Sequence, residues 1–348
     1  MSKLSTFFFT ALCAVVVSSA GCASKWAPST EAPAAPPQWL DHSNTARVRH
    51  LATLTGFKET GTSLPNLLKY AVFGRTDENN LLMRPVAVTK GPGDRLAIAD
   101  TGCKCVHLYV PSERKYRRVY SAGQEELRSP VGVAFDEEAR LYVSDSTAGA
   151  IYVFDRTGEY LSAIKAAGDA RLLRPTGLSY SSEKNILYAV DTLANRVYAY
   201  SDKGGLLFSF GDKGDKDGQF NFPTHIIAAH DGRVYVTDAM NFRVQVFAAS
   251  GTFLSSFGHH GNGSGDFAMP KGIAVDRKGV IYVVDNLFDN VQLFNLDRGF
   301  LFTIGGRGTG HGEFWLPSGV FLDHANRLYV SDTYNQRVQI FEVLGGAP

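Results

Sequence analysis

The chain has 348 residues, of which 44% are hydrophobic and 20% charged, and its formal net charge is +1. Its 35 basic residues exceed its 34 acidic ones by only one, too few to form a surface that binds phosphates, so nucleic acid is not expected as a partner. The hydrophobic share is ample for a core in one body of roughly 300 residues.

The first 22 residues have the pattern of an export signal. Lys3 precedes an apolar run over residues 4–17, and small residues then lead to Ala20-Gly21-Cys22. The run is short for a membrane span and ends at a cleavage-like site. This ending resembles a bacterial lipobox, although Ser19 stands where Leu is usual. The resemblance implies a signal peptide over 1–21 and lipidation of Cys22; the alternative is a secreted protein with an incidental Cys22.

Residues 22–46 are rich in Pro and Ala, which predicts a semi-extended tether before a body at 47–348. Ala23 stands where an aspartate would resemble an inner-membrane retention signal. We therefore expect an exported lipoprotein, anchored in the outer membrane by its lipid and facing the periplasm.

One sequence motif recurs six times along the rest of the chain. It begins with a proline and a short apolar strand and continues through a turn to Tyr-Val-x-Asp and an apolar strand. The prolines are spaced by 45, 45, 48, 47 and 47 residues; they are Pro85, Pro130, Pro175, Pro223, Pro270 and Pro317. Apolar and polar residues alternate within each copy, as in β-strands. Four strands in each of six repeats predict an all-β, six-bladed β-propeller with antiparallel blades.

The sequence resembles the NHL-repeat propellers from about Arg84 to Val343. Their signature, Pro-x-Gly-Ile-Ala-Val-Asp and then Tyr-Val-x-Asp-x-x-Asn-x-Arg-Val-Gln, is nearly complete around Asp238–Gln245 and Asp332–Gln339. The resemblance implies the fold but no single function, because this fold carries many activities. The aspartates that end the second strands are expected to bind turn backbone, and the residues three before each proline to pack between blades.

The sixth repeat ends soon after its third strand, so the N-terminus must close the ring. Two segments compete for this role, residues 47–56 and 67–74. The second has the apolar spacing of a helix, with Ser63 as an N-cap and Gly74 as a stop. We therefore predict a helix over 64–73 and a closing strand over Val48–Thr55.

Functional residues are expected on the face that holds the long loops before the prolines. His225 lies two residues after its proline, where the other repeats have Gly or Ala. The candidate ligand-binding residues are His225, His259, His260, His311, Arg243 and Arg337. The alternative is that the histidines line the channel or the surface and that the arginines brace the blades.

No cofactor is expected. Peptide-amidating lyases resemble this chain and hold zinc at the channel mouth, but only His225 falls on an inner strand here; His107, His230 and His324 fall elsewhere. Cys103 and Cys105 suit a disulfide or two soft metal ligands, whereas structural zinc takes four. Residues 212–218 contain acids but lack the pattern of a calcium loop. Zinc and calcium are minor alternatives.

Three functions follow. The first is a non-catalytic binding or scaffold module of the cell envelope that holds a protein, peptide or glycan on the loop-bearing face. The second is a metal-dependent lyase or lactonase-like hydrolase at the channel mouth. The third is a purely structural brace. The common catalytic signatures are absent from the sequence, which favours the first.

Overall fold

The structure is a computed structural model that describes residues 25–41, 45–60 and 80–344. Cys22 and the predicted helix over 64–73 lie outside these residues. Three N-terminal strands precede the repeats: β1 (Lys25–Glu31), β2 (Gln38–Leu40) and β3 (Ala46–Thr60). Within the described part of the chain, no helix combines the length and apolar character needed to cross a membrane.

Blades one to five are four-stranded antiparallel sheets in which each strand pairs with the next along the chain. Blade one contains β4 (Pro85–Gly91), β5 (Arg95–Asp100), β6 (Cys105–Val110) and β7 (Lys115–Val119). A small hairpin of β8 (Ser121–Ala122) and β9 (Glu125–Glu126) leads to blade two, which contains β10 (Pro130–Phe135), β11 (Leu141–Asp145), β12 (Ala150–Phe154) and β13 (Tyr160–Ile164).

Blades three to five repeat the plan. A second hairpin, β14 (Ala166–Ala167) and β15 (Ala170–Arg171), precedes blade three, which contains β16 (Pro175–Ser181), β17 (Ile186–Asp191), β18 (Arg196–Ser201) and β19 (Leu206–Phe210). Blade four contains β20 (Pro223–Ala228), β21 (Arg233–Asp238), β22 (Arg243–Ala248) and β23 (Phe253–Phe257). Blade five contains β24 (Pro270–Val275), β25 (Val280–Asp285), β26 (Asn290–Asn295) and β27 (Gly299–Ile304). Short 3₁₀ turns lie at Pro92–Asp94 and Ala239–Asn241.

Blade six joins the two ends of the chain, as predicted. Its own strands are β28 (Val320–Leu322), β29 (Arg327–Asp332) and β30 (Arg337–Val343). Strand β3 adds antiparallel to β30, with Val48 opposite Val343 and Leu54 opposite Val338. The predicted all-β, six-bladed propeller closed by an N-terminal strand is therefore confirmed. No edge of β30 is left to pair with another chain.

The segment predicted as a tether is more structured than expected. Strand β1 pairs with β3 over its whole length, and β2 pairs with the start of β3. The prediction of a semi-extended spacer over 22–46 is therefore wrong for residues 25–31 and 38–40. Proline does not exclude an outermost strand, where its missing N–H faces away from the ladder, and Pro28 lies on such a strand.

The blades pack through the predicted plugs three residues before each proline. All six are buried: Leu82, Leu127, Leu172, Phe220, Phe267 and Phe314. The second-strand aspartates also behave as predicted. Asp145, for example, accepts backbone hydrogen bonds from Arg128, Ser129, Thr147 and Ala148. Each such carboxylate ties the turn after its own strand to the loop that enters the blade.

Near the axis the first strands approach one another so closely that larger side chains are excluded. A Cβ added at Gly132 would lie 2.2 Å from the Thr176 carbonyl oxygen, and one at Gly177 would lie 2.7 Å from the Thr224 carbonyl oxygen. These distances are shorter than van der Waals contact, which explains why small residues recur at this position of the repeat. His225 is the exception at this position of the repeat.

Candidate functional site

The propeller has two faces with different chemistry. Each first strand begins opposite the end of the second, as where Pro85 pairs with Asp100. The loops that enter the blades and the turns between second and third strands therefore share one end, which we call the loop face. The turns between first and second strands and those between third and fourth strands form the opposite end, which we call the turn face.

The two predicted ligand-binding arginines hold the loop face together. The Arg337 Nε donates to Asp332 at 2.7 Å, and its other nitrogens donate to the carbonyl oxygens of Thr309, Gly310 and Glu313. Arg243 bonds Asp238 at 2.9 Å and the preceding loop in the same way. These contacts engage both side chains in fixing the loops, in agreement with the bracing alternative.

The three loop histidines lie in different surroundings. The exposed His259 bonds Asp266 at 2.7 Å, and the ring of His260 packs on Phe242 with centroids 4.4 Å apart. His311 lies 3.2 Å from the Thr53 hydroxyl, which also contacts His50. Burial, followed by the nearby His311 and Arg337 side chains, lowers the pKa of His50 to about 4.

His225 faces the axis, away from these three. Its Nδ1 is buried and has no hydrogen-bond partner among the described residues. Burial, together with the positive charge of Lys271, lowers the pKa of His225 to about 3. The imidazole is therefore neutral at physiological pH.

A cavity of about 750 Å³ follows the axis from His225 to the turn face. First strands of all six blades line it, whereas no residue of 211–222, 258–269 or 305–316 does. Its rim contains a charge network in which Lys90 and Arg327 bond Asp323 at 3.1 and 2.9 Å. Although burial opposes the change, hydrogen bonds from Arg327 and Lys90 lower the pKa of Asp323. The cavity thus opens on the face opposite to the one expected from the sequence to carry function.

The loop face carries an arc of exposed apolar side chains. These lie one or two residues before a first-strand proline or two residues after a second-strand aspartate, and each is 40% to 57% exposed. We call the set the apolar arc; it consists of Met83, Leu173, Leu193, Phe222, Met240, Leu287, Trp315 and Tyr334. None of the exposed large apolar side chains of the described residues lies in a turn between first and second strands. The turns between third and fourth strands, at the same end, carry one, Leu296. The loop face is therefore the more apolar of the two faces.

Hydrogen bonds and ring contacts hold residues of the apolar arc in place. In blade six the Tyr334 N–H donates to the Trp315 carbonyl oxygen at 3.1 Å, and their rings lie 5.7 Å apart. The Arg84 guanidinium of blade one lies 5.4 Å from the Tyr334 ring centroid. Phe222 adopts a positive φ of 51° and donates its N–H to the Asn195 side chain at 2.9 Å. Fixed apolar groups of this kind lose little conformational freedom when a partner binds.

The sequence analysis did not single out the apolar arc. Its signal was available in the repeat, because apolar residues recur at fixed offsets from the marker proline and aspartate in five of the six blades. Blade two interrupts the pattern with the exposed Arg128 and Thr147.

A cluster of sulfur and nitrogen side chains lies in blade one, away from both the cavity and the arc. Cys103 and Cys105 form a disulfide, one of the two alternatives expected. Their sulfur atoms and the His107 imidazole lie within 4.8 Å of one another. The sequence analysis placed His107 on an outer strand and did not link it to the cysteines.

Family comparisons agree with this architecture. A family model described as a 6-bladed beta-propeller matches residues 219–298, and the NHL repeat model matches residues 314–341. The chain is a six-bladed β-propeller with NHL repeats, which confirms the resemblance expected from the sequence. No curated protein matches the chain.

Solved structures with different roles are similar in fold. A catalytically inactive virginiamycin B lyase from Staphylococcus aureus with quinupristin is 13% identical, with 78% of this chain and 97% of that chain covered and a TM-score of 0.55. An auxiliary nutrient binding protein from Bacteroides ovatus is 14% identical, with 76% of this chain and 70% of that chain covered and a TM-score of 0.58. Kuenenia stuttgartiensis hydrazine synthase is 14% identical, with 76% of this chain and 96% of that chain covered and a TM-score of 0.53. At these identities the likeness concerns the fold alone.

Proposed function

We propose that this protein is a non-catalytic binding module of the cell envelope that holds a protein partner on its loop face. The apolar arc is the observation that carries the proposal. Eight of the seventeen exposed large apolar side chains of the described residues lie in this arc. Isolated exposed apolar residues are common on protein surfaces, but a concentration on one face is typical of an interaction site.

The chemistry of the arc favours a protein over a glycan or a small ligand. Trp, Tyr, Phe and Met are enriched at protein interfaces, and Trp and Tyr often contribute most to binding. The arc spans several blades, which suits an extended apolar surface on the partner. Arg84 and Arg128 at its margin suit a partner that carries acidic groups around its apolar centre.

We propose that a lipid on Cys22 anchors the protein in the outer membrane and that the propeller lies in the periplasm. Strand β1 begins only three residues after Cys22, so the lipid would lie within about 10 Å of Lys25. Because β1 lies at the outer edge of blade six and bonds Arg114 of blade one, the anchor would hold the propeller by its rim. Both faces would then stay open to the periplasm.

A matched pair of substitutions tests the proposal. Leu287 in the arc and Leu254 on the outer strand of blade four are 53% and 50% exposed. We expect Leu287→Asp to prevent co-purification of the partner from crosslinked envelopes, and Leu254→Asp to leave it unchanged. Equal recovery with both variants would overturn the proposal, and recovery of glycan in place of protein would redirect it.

A metal-dependent lyase or lactonase-like hydrolase is the second candidate, and the cavity with its unpartnered His225 Nδ1 favours it. His259, His260 and His311 do not line that cavity, so they do not complete a metal site there. Metal that co-purifies in stoichiometric amount and is lost on His225→Ala would support this candidate. Metal-free protein with unchanged partner binding would support the binding module.

A further inference from the structure

The two sulfur atoms of the disulfide in blade one belong to a cluster of potential metal ligands. Cys103 lies in the turn before β6, and Cys105 and His107 lie on β6 itself. Cys105 and His107 are fully buried, whereas Cys103 is partly exposed. The Nε2 of His107 is 3.7 Å from each sulfur atom and 3.5 Å from Oδ2 of the buried Asp100.

We propose that reduction of this disulfide creates a site for one thiophilic metal ion, with Zn²⁺ as the test case. The ligands are the sulfur atoms of Cys103 and Cys105, the Nε2 of His107 and a carboxylate oxygen of Asp100. Metal–ligand distances near 2.3 Å for sulfur and 2.0–2.1 Å for nitrogen give a tetrahedral sulfur–nitrogen edge of about 3.5 Å. The observed separations from Nε2 are close to this value before any metal is bound.

His107 is held in an orientation that suits a ligand. Its Nδ1 lies 2.8 Å from the Tyr116 hydroxyl, and the Tyr116 ring stacks on Phe57 of β3 with centroids 4.5 Å apart. In the metal-binding tautomer Nδ1–H donates to the tyrosine oxygen, which leaves the Nε2 lone pair free. An outer hydrogen bond of this kind orients metal-bound histidines in many proteins.

The reaction needs a reductant, which we identify by class as a dithiol. Its thiolate attacks Cys103, the more exposed sulfur, and the Cys105 thiolate leaves. The second thiolate of the dithiol then displaces Cys103, so the protein disulfide gains two electrons and two protons while the dithiol becomes a disulfide. Zn²⁺ binds as the two protein thiols release their protons to solvent. In the reverse exchange the disulfide form of that dithiol takes up two electrons, the Cys103–Cys105 disulfide forms again and the Zn²⁺ is released, which makes the site dependent on redox state.

The experiment uses the full chain with Cys13→Ser and Cys22→Ser, so that only the Cys103–Cys105 pair remains. The protein is reduced without oxygen by a phosphine, which does not compete as a thiol ligand, and is then loaded with Zn²⁺ and gel-filtered. We expect one bound Zn²⁺ per chain when reduced and none when oxidised. With Co²⁺ the reduced protein should show thiolate charge-transfer bands. A reduced protein that retains no metal would overturn the proposal.

Single substitutions distinguish a specific metal site from metal binding by the two thiols alone. His107→Gln should abolish retention of Zn²⁺, and Tyr116→Phe should weaken Zn²⁺ binding by about 10- to 100-fold. Cys103→Ser should also abolish retention, and it keeps the test valid if serine at the buried Cys105 prevents folding. His230→Gln, on the turn face, is the control and should leave binding unchanged. Zn²⁺ affinity unaffected by His107→Gln would contradict the assignment.

Discussion

The rings of Trp315 and Tyr334 contact each other with their centroids 5.7 Å apart and their planes tilted by 41°, yet each side chain remains more than two-fifths exposed on the loop face. The pair occupies the same positions of the repeat as Leu173 and Leu193 in blade three. A pair of aromatic rings that is held in place and still exposed is the kind of group that dominates protein interfaces.

We expect Trp315→Ala to weaken partner binding at least about tenfold, or at least about 1.4 kcal/mol. The side chain is exposed, so the free energy of unfolding should change little. Titration calorimetry with the purified partner measures the effect. Tyr160→Ala, which removes a similarly exposed ring from the outer strand of blade two, is the control and should bind as wild type.

Asp332→Asn should destabilise the fold. The fully buried carboxylate accepts hydrogen bonds from the Trp315 backbone and from Asn335, Arg337 and Gln339. Because neutralising it leaves the buried Arg337 without its ion-pair partner, we expect a loss of about 3–5 kcal/mol in urea unfolding. The exposed Asp297→Asn should change stability by less than about 0.5 kcal/mol. Similar unfolding midpoints for the two variants would refute this role of Asp332.

Close approach at the axis predicts a difference between two glycines. Gly177→Ala would place a Cβ 2.7 Å from backbone atoms of blade four, which cannot move without shifting a strand. We expect a loss of about 1–3 kcal/mol in thermal or urea unfolding. For Gly306→Ala the new Cβ has no heavy atom of the described residues within 4 Å, so this substitution should be tolerated. If both variants unfold alike, the first strands are not packed as described.

Acid should destabilise the protein partly through two histidines, the buried His50 and the half-buried His225. The folded-state pKa values of His225 and His50, about 3 and about 4, lie below the ordinary value of 6.5. The unfolded chain therefore binds these protons first, and stability is lost as the pH falls from about 6.5 towards these values. His225→Gln should lose less stability than wild type between about pH 7 and pH 4. Parallel pH profiles of the free energy of unfolding would contradict a neutral His225 in the folded protein.

The repeat made most of the fold predictable. The spacing of prolines and aspartates predicted six blades, and the predicted closing strand over Val48–Thr55 lies within β3, which pairs with β30. The pairing of β1 and β2 with β3 was not predictable, because a Pro- and Ala-rich composition does not distinguish an outermost strand from a spacer. The axial cavity was not predictable either, because its extent depends on how closely neighbouring first strands approach one another.

Side-chain clusters that form between residues distant in the sequence were harder to predict than the fold. His107 was visible two residues after Cys105, but its orientation towards both sulfurs depends on Tyr116 and on Phe57, which enters from β3. The apolar arc, by contrast, needed only an alignment of the six copies at the offsets from proline and aspartate. Histidine and arginine are the more obvious ligand-binding residue types, but here the arginines hold the loops and His225 lines the cavity.

Site-specific photocrosslinking in living cells tests the role of the loop face most directly. A crosslinking amino acid is placed at Met83, Leu193 or Leu287 in the arc, at Leu161 or Leu254 on outer strands, and at Ser182 on the turn face. We expect adducts with the same protein from the three arc positions and none from the other three. Adducts confined to the outer strands or the turn face would contradict the loop face as the binding surface.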